Sequence, residues 1–222
     1  MTEIIAKIAH YQDDASEDTD GNLRDHESDI YTYFTPSWPP AVYGGVRFQL
    51  NIPKGAIIDS AILNIGAYWS WAWGINIFGN AVDNSENFGD NPHIVSEVYR
   101  PRTTNFEEWQ VDENYDYRSD SPDIKNVIQE IISRDGWAAN NYLTLILVPL
   151  SNNDWWLEFY SYDGYGQDNA ARLTINYHIP VQPPIYKPNK KAFTGYHCFM
   201  EQYIKNIEAG VNAYKLPDGT LW

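Results

Sequence analysis

The sequence has one cysteine, Cys198, two methionines, and only 15 Lys and Arg against 30 Asp and Glu. A single cysteine excludes an intrachain disulfide framework and a cysteine-based zinc site. A formal charge of -15 argues against a non-specific nucleic-acid binder, which neutralises phosphates with clustered Lys and Arg. The same balance argues against an anionic membrane surface as partner. No apolar run approaches the length of a membrane span, so no membrane insertion is expected. Met1 leads into Thr2-Glu3-Ile4 with neither a basic region nor an apolar core behind it. No signal peptide is therefore expected, and synthesis in a cytoplasm without export by that route is.

Catalytic signatures are missing as well. There is no Gly-x-Ser-x-Gly, no His-Glu-x-x-His and no phosphate loop. A chain this acidic offers many carboxylate pairs, but the Glu-x-Asp-x-Glu strand pattern of some β-sandwich glycosidases does not occur. His10, His26, His93, His178 and His197 are scattered, and none stands at metal-ligand spacing with another. The expectation is a protein that is not an enzyme.

What is present is β-structure around one helix. At 222 residues the chain suits one large β domain, or a domain plus an appendage, with enough length to bury a core unaided. The clearest local signal runs from Ser121 to Val148. Ser121 is placed to N-cap a helix, with Pro122 at the first helical position and Asp123 at the positive end of the dipole. Ile124, Val127, Ile128, Ile131 and Ile132 then make one apolar face. Arg134 suits the last turn, and Gly136 suits the left-handed residue that ends it, giving a helix over about 121–135. Leu143-Thr144-Leu145-Ile146-Leu147-Val148 follows, short and almost wholly apolar, which predicts a central strand buried on both faces.

Along the rest of the chain, Glu3–His10 alternates weakly and predicts an edge strand. Gln12–Asp29 is too acidic for a strand and reads as a long loop. Ile30–Phe34 is strand-like and ends at Pro36. Val46, Phe48, Leu50 and Ile52 alternate with polar residues, which predicts a half-buried strand. Pro53-Lys54-Gly55 makes a turn. Ile57–Tyr68 and Gly74–Gly79 are further strands, separated from the helix by the acidic stretch Asn80–Pro92 and by Thr103–Arg118, read as an irregular crossing. After the central strand come Trp155–Tyr162, a turn at Asp163-Gly164, and a closing strand with Leu173, Ile175 and Tyr177 inward. Many short strands, turn signals and one helix predict an antiparallel β-sandwich or jelly roll over 1–179.

Composition shifts at Pro180. Pro180, Pro183, Pro184 and Pro188 predict an extended, semi-rigid linker over the start of 180–222. Phe193, Phe199, Met200, Tyr203, Ile204 and Ile207 follow, with Leu221 and Trp222 at the end. This stretch is too small to hold a core alone, so its apolar side chains dock on the sandwich or on another chain. A homo-oligomer formed through it is one outcome.

Two sets of residues suggest ligands. Trp69, Trp71 and Trp73 share one face if the segment is extended, and Trp155 and Trp156 could join them as a platform on which sugar rings stack. Packing into the core or against a partner is the plainer reading of the same indoles. Asp18, Asp20 and Asn22 offer alternating oxygens for a structural Ca²⁺, as do Asp83 and Asp90 more loosely, although neither loop has EF-hand spacing. A solvated acidic loop is the plainer alternative. No other cofactor is expected.

Several segments, in order, resemble one family. They are Arg47-Phe48 with Ile52-Pro53-Lys54-Gly55-Ala56-Ile57-Ile58-Asp59-Ser60-Ala61, then Ile77-Phe78-Gly79 before Asp83-Asn84, and Arg102-Thr103-Thr104 with Trp109. Val127–Arg134 with Gly136-Trp137, Ser161-Tyr162-Asp163-Gly164 and Leu173-Thr174-Ile175-Asn176-Tyr177 complete the series. Together they resemble the β-sandwich modules of tailed-phage virion proteins and some bacterial surface proteins, which are similar to non-catalytic carbohydrate-binding jelly rolls. The family's Pro-containing turn before the last strand is replaced here by Gly166-Gln167-Asp168-Asn169-Ala170, and 180–222 lies outside the resemblance. The resemblance implies a jelly-roll β-sandwich and a structural protein on the virion surface, made in the host cytoplasm. Its expected role is capsid decoration, head fibre or tail-associated, with the C-terminal arm held by other virion proteins of the capsid, tail or fibre. The alternative it implies is an adhesion module for host glycans.

Overall fold

The computed structural model describes residues 1–21, 29–34, 41–70, 73–89, 93–94, 97–111, 118–150 and 156–180, without the side chains of 29–34, 67–70, 73, 111 and 156–157. The chain divides into two units, Met1–Pro180 and Val181–Trp222, and the second lies outside the described residues. The anchor residues expected there, Phe193, Phe199, Met200, Tyr203, Ile204, Ile207, Leu221 and Trp222, therefore lie outside them too.

The first unit is mainly β. Its strands are β1 (Thr2–Lys7), β2 (Asp14–Asp18), β3 (Asp29–Phe34), β4 (Ala41–Leu50), β5 (Ile57–Ser70) and β6 (Trp73–Asn80). They continue with β7 (Arg102–Val111), β8 (Arg118–Asp120), β9 (Asn141–Pro149), β10 (Trp156–Tyr160) and β11 (Arg172–His178). Among the described residues two α-helices interrupt them, α1 (Lys125–Ile132) and α2 (Tyr162–Tyr165).

The apolar run 143–148 becomes β9, held between β4 and β6. Its side chains divide by parity, as a pleated strand requires. Leu143, Leu145 and Leu147 enter the main core, while Ile146 points to a second, smaller cluster on the opposite face.

All pairings are antiparallel, and they form two sheets. In one, the order is β1-β11-β5-β8; in the other, β4-β9-β6-β7, with β2 and β3 also on β4. The 14-residue β5 serves both sheets: its first half pairs with β11 and its end pairs with β10, which pairs onward with β3. The sandwich is thus joined along one side. The pairings make an antiparallel β-sandwich, with β2, β3 and β10 paired in addition to the strands of the two main runs. Between the sheets Phe48, Leu63, Ile65, Ile77, Leu145, Phe159, Leu173 and Ile175 are buried, and the alternation expected for β11 is realised residue by residue. Each such side chain contributes about 1.5–3 kcal/mol relative to exposure.

The helix forms on the expected apolar face but begins later than 121. Ser121 is not its cap. Its Oγ accepts from Leu63 N at 2.9 Å and its N–H donates to Leu63 O at 2.8 Å, so it extends the pairing of β5. Asp123 Oδ1 accepts from Ala61 N at 2.9 Å and from Lys125 N at 3.1 Å. These bonds tie Ser121, Asp123 and, through its N–H to Ala61 O, Ile124 to β5, and α1 starts only after them. Val127, Ile128, Ile131 and Ile132 then bury against the sandwich. At the other end Gly136 does not take the left-handed conformation; Asn140 does, at φ 70°. Gly136 instead lets Asp83 approach, because a Cβ there would lie 2.1 Å from Asp83 Oδ2.

Three further expectations are corrected. The stretch 12–29 is not all loop: Tyr11–Asp13 forms a 3-10 turn and Asp14–Asp18 is a fully buried strand paired with β4. Its acids tolerate burial because partners meet them, Arg47 at Asp13 and Tyr162 N at Asp14. Thr103–Arg118 is not an irregular crossing, since β7 occupies most of it as an edge strand and β8 follows. Buried Thr103 and Trp109 fix β7 despite its polar composition. Asp163-Gly164 lies within a one-turn helix, α2, which Ser161 caps by accepting from Gly164 N at 3.0 Å.

Candidate functional site

The loop between β6 and β7 crosses the outer face of the β4-β9-β6 sheet. Phe88 and Ile94 press onto Ala15 and Ile146 there, with Tyr43, Phe78 and Val148 beside them. Gly45 makes room for Phe88, since a Cβ would come within 2.5 Å of its ring. So small an apolar cluster does not hold the loop by itself, and hydrogen bonds from distant strands supplement it. Tyr142 N donates to Asn84 Oδ1 at 2.7 Å, and Ser85 N to Tyr142 O at 2.9 Å. Phe88 N donates to Gln12 O at 3.0 Å, and Asn87 Nδ2 to Gln12 Oε1 at 2.9 Å.

Three arginines complete the attachment. Arg47 Nε donates to Ser85 O at 3.0 Å, its guanidinium pairs with the buried Asp13, and it lies 3.5 Å from the centre of the Tyr142 ring. Arg100 donates to Glu86 O at 3.2 Å and Asn87 O at 2.9 Å, and stacks over Phe88. Burial, and then the charge of Arg47, lower its pKa to about 10, so it stays cationic at neutral pH. Arg102 pairs with Glu97 at 3.2 Å and reaches over Tyr43 and Phe78. On the far side of β7, Glu130 of α1 accepts from Thr104 N, Asn105 N and Asn105 Nδ2. Burial alone would push this carboxyl up, but those donors and Arg134 together hold it below the usual range.

This arrangement leaves a half-open cleft of about 310 Å³ at the end of β6. Asn80, Asn84, Glu86 and Asn87 line it with amides and a carboxylate, and Arg100 lies beside them. His93 and Tyr99 supply rings stacked 4.1 Å apart at 18°, and Tyr99 is 65% exposed. Among the described residues of the lining, Val82 is the one aliphatic side chain. Asn80 is 3% exposed; its Nδ2 donates to Ser85 Oγ at 3.0 Å, which leaves Oδ1 buried without a partner. A buried carbonyl oxygen in that state is rare.

The residues expected from sequence fall elsewhere. Of the segment 69–73, Trp69 stands near the end of β5, opposite Glu158, and Trp73 starts β6, opposite Val111. Trp156 starts β10, opposite Tyr33. The side chains of these three, and Trp71 and Trp155 altogether, lie outside the described residues. Asp18 is a buried strand residue whose Oδ1 accepts from Asp20 N at 2.9 Å. Asp83 is ion-paired with Arg134 at 2.7 Å, and Asn22 and Asp90 lie outside the described residues. Among the described residues no group of three or more His, Cys, Asp or Glu is placed to hold a metal ion. No described helix is long and apolar enough to cross a membrane.

Sequence reasoning reached Asn84 and Glu86 as part of an acidic loop, grouped loosely with Asp83 and Asp90 as oxygen ligands for Ca²⁺, and missed Asn80, Tyr99 and Arg100 as members of one site. The density of asparagine around an otherwise acidic stretch was the available signal.

A second buried group stands apart from the cleft. Asp14, in β2, is fully buried; its Oδ2 accepts from Tyr162 N at 2.7 Å, while Oδ1 has no partner. Burial, joined by the charges of Asp163 and Asp13, pushes its carboxyl up to about 8 against the Tyr162 hydrogen bond. It therefore carries a proton at neutral pH.

No family model matches the chain, and no curated protein matches it. Among solved structures, a chain from the mud crab tombus-like virus is similar over 81% of this chain and 90% of its own. The two share 8% identity, with a TM-score of 0.22, a likeness that carries no conclusion about this chain.

Proposed function

We propose that this protein is a non-catalytic structural component of a tailed-phage virion, a β-sandwich displayed on the particle surface and anchored by the arm after Pro180. The observation that supports it is the division of the chain: Met1–Pro180 closes around its own core, and Val181–Trp222 is a separate unit. The sequence of that second unit, prolines followed by spaced aromatic and aliphatic residues, suits an attachment device. The resemblance of segments between Val46 and Tyr177 to virion modules, read from sequence, supports the same role. Attachment works by burying arm side chains on a capsid, tail or fibre neighbour, at about 25 cal/mol per Å² before ordering costs. Many copies per particle make weak single contacts sufficient through avidity.

Deleting Lys187–Trp222 tests this. Loss of the protein from purified particles, with a soluble and folded remainder, is the expected outcome. Unchanged incorporation would sink the anchoring role. Light scattering on the full chain and on a version stopped at Val181 then separates the partners. Assembly of the full chain alone would make the arm a self-association device, and two monomers would point to a different virion protein.

A further inference from the structure

We infer that β1 is the edge along which a second copy of this chain pairs, antiparallel and about a two-fold axis through Ile5, so that one sheet runs through both copies. This goes beyond the display role and does not depend on it. β1 and β7 stand at the two ends of the strand order. β7 carries devices that blunt an edge. Glu130 takes the N–H groups of Thr104 and Asn105, Glu107 and Glu108 follow one another, and the register shifts opposite it between Phe78 and Asn80. β1 differs in each respect. It runs Thr2–Lys7 against Tyr177–Arg172 without a shift, has no proline, and among the described residues pairs with β11 alone. Its two charges, Glu3 and Lys7, are of opposite sign.

The residues of β1 complement themselves in one register. Antiparallel partners on one face share parity, so when Ile5 faces Ile5 of the second copy, Glu3 faces its Lys7. By the two-fold symmetry Lys7 then faces its Glu3. These three side chains lie on the outer face, where Glu3, Ile5 and Lys7 stand opposite Asn176, Thr174 and Arg172 of β11. Ile5 is 59% exposed in the single chain, in line with Thr174 and with Ile62 of β5. Pairing covers it with its own copy and sets an opposite-charge pair on either side. On the inner face Ile4 meets Ala6. Ala6 is part of the main core and Ile4 packs against it, so each core continues into the other. A slip of two residues in either direction puts Ile5 against Glu3 or Lys7, and a slip of one turns the faces over. Lys7 already meets Asp168 at 2.8 Å, but that pair is exposed and an ammonium has three donors, so Lys7 can serve both carboxylates.

The test is sedimentation equilibrium of the full chain at about 150 mM salt, where the repulsion between two chains of charge -15 is screened beyond about 8 Å. A six-residue edge is a small interface, so a dimer half-formed at roughly 100 µM is expected. Glu3→Lys or Lys7→Glu alone sets like charges opposite one another on both sides of the axis, and should weaken the dimer roughly tenfold. The double variant E3K/K7E reverses both signs and should restore it. Ile5→Lys should abolish it. All four variants alter side chains outside the core and should keep the circular dichroism of the wild type. A full chain that stays monomeric at roughly five times the expected concentration would overturn the inference. So would a dimer indifferent to Ile5→Lys, which would place association on the arm or on another surface. A double variant as weak as the single ones would overturn it too, because Glu3 would then not face Lys7.

Discussion

The two faces of β9 meet two different kinds of interior. Between the sheets, Leu143, Leu145 and Leu147 join a core of apolar side chains fed by nearly every element. On the outer face, Ile146 meets a thin cluster of Phe88, Ile94 and Ala15, flanked by Arg47, Arg100 and Asp13. The first interior is assembled by removing apolar surface from water, which needs no particular partner. The second depends on named pairs, each of which must be present for the others to be tolerated. The inner core makes the fold; the outer layer holds the loop that shapes the cleft.

The largest effect should come from the inner core. Phe48→Ala removes a fully buried ring and should cost about 3–5 kcal/mol in denaturant unfolding. A cost under about 1 kcal/mol would mean that the sandwich is loosely packed and the contrast between the faces is wrong.

Arg47→Met probes the outer layer. It strands Asp13, 3% exposed, and removes the bond to Ser85 O, so about 3 kcal/mol should be lost. Adding Asp13→Leu should recover most of that. Failure to recover would show that Arg47 acts through Tyr142 and Ser85 rather than through charge pairing.

Gly45→Ala and Gly79→Ala set the faces against each other with the same added methyl. At Gly45 it meets Phe88 in the outer layer at 2.5 Å; at Gly79 it meets Ile131 of α1 at 2.5 Å. Overpacking typically costs about 1–3 kcal/mol. Gly79→Ala should fall near the upper end, because α1 is held from several sides. Gly45→Ala should cost less and should instead raise amide exchange in the loop over 81–89, which the melting temperature would not report.

Asp14 gives the pH dependence its sign. Its folded pKa, about 8, stands above the ordinary carboxylate value of 3.8, so the folded state holds a proton that the unfolded state releases. Stability from this group should fall as pH rises from about 4 to about 8 and level off above. Asp14→Asn keeps the acceptor for Tyr162 N and should flatten that slope. A wild-type curve already flat across the window would show that water reaches Oδ1. The smallest effect belongs to Lys54→Ala, which breaks an exposed pair with Asp135 and should change stability by less than about 1 kcal/mol.

Legibility followed the same division. The apolar run 143–148 and the alternations of β4 and β11 were readable because a strand buried by hydrophobicity writes its period into its own residues. The apolar face of α1 was readable for that reason too, but its start was not. Ser121 and Asp123 are good caps in isolation, yet backbone donors of β5, about sixty positions earlier, took them first. Nothing local distinguishes those uses.

The sequence by itself determined a β-sandwich with one amphipathic helix, the identity of its central strand, and the change of character at Pro180. Each is set by composition or by a period of two or 3.6 residues, which act over a few neighbours. Only the tertiary structure decided that the acidic 14–18 is an interior strand, that 102–111 is an edge strand, and that Asn80, Glu86, Tyr99 and Arg100 share a cleft. Those outcomes rest on polar pairs across the chain, such as Arg47 with Asp13 and Gln12 with Asn87. A buried charge or amide is affordable only where its partner arrives, and which partner arrives is a property of the folded chain.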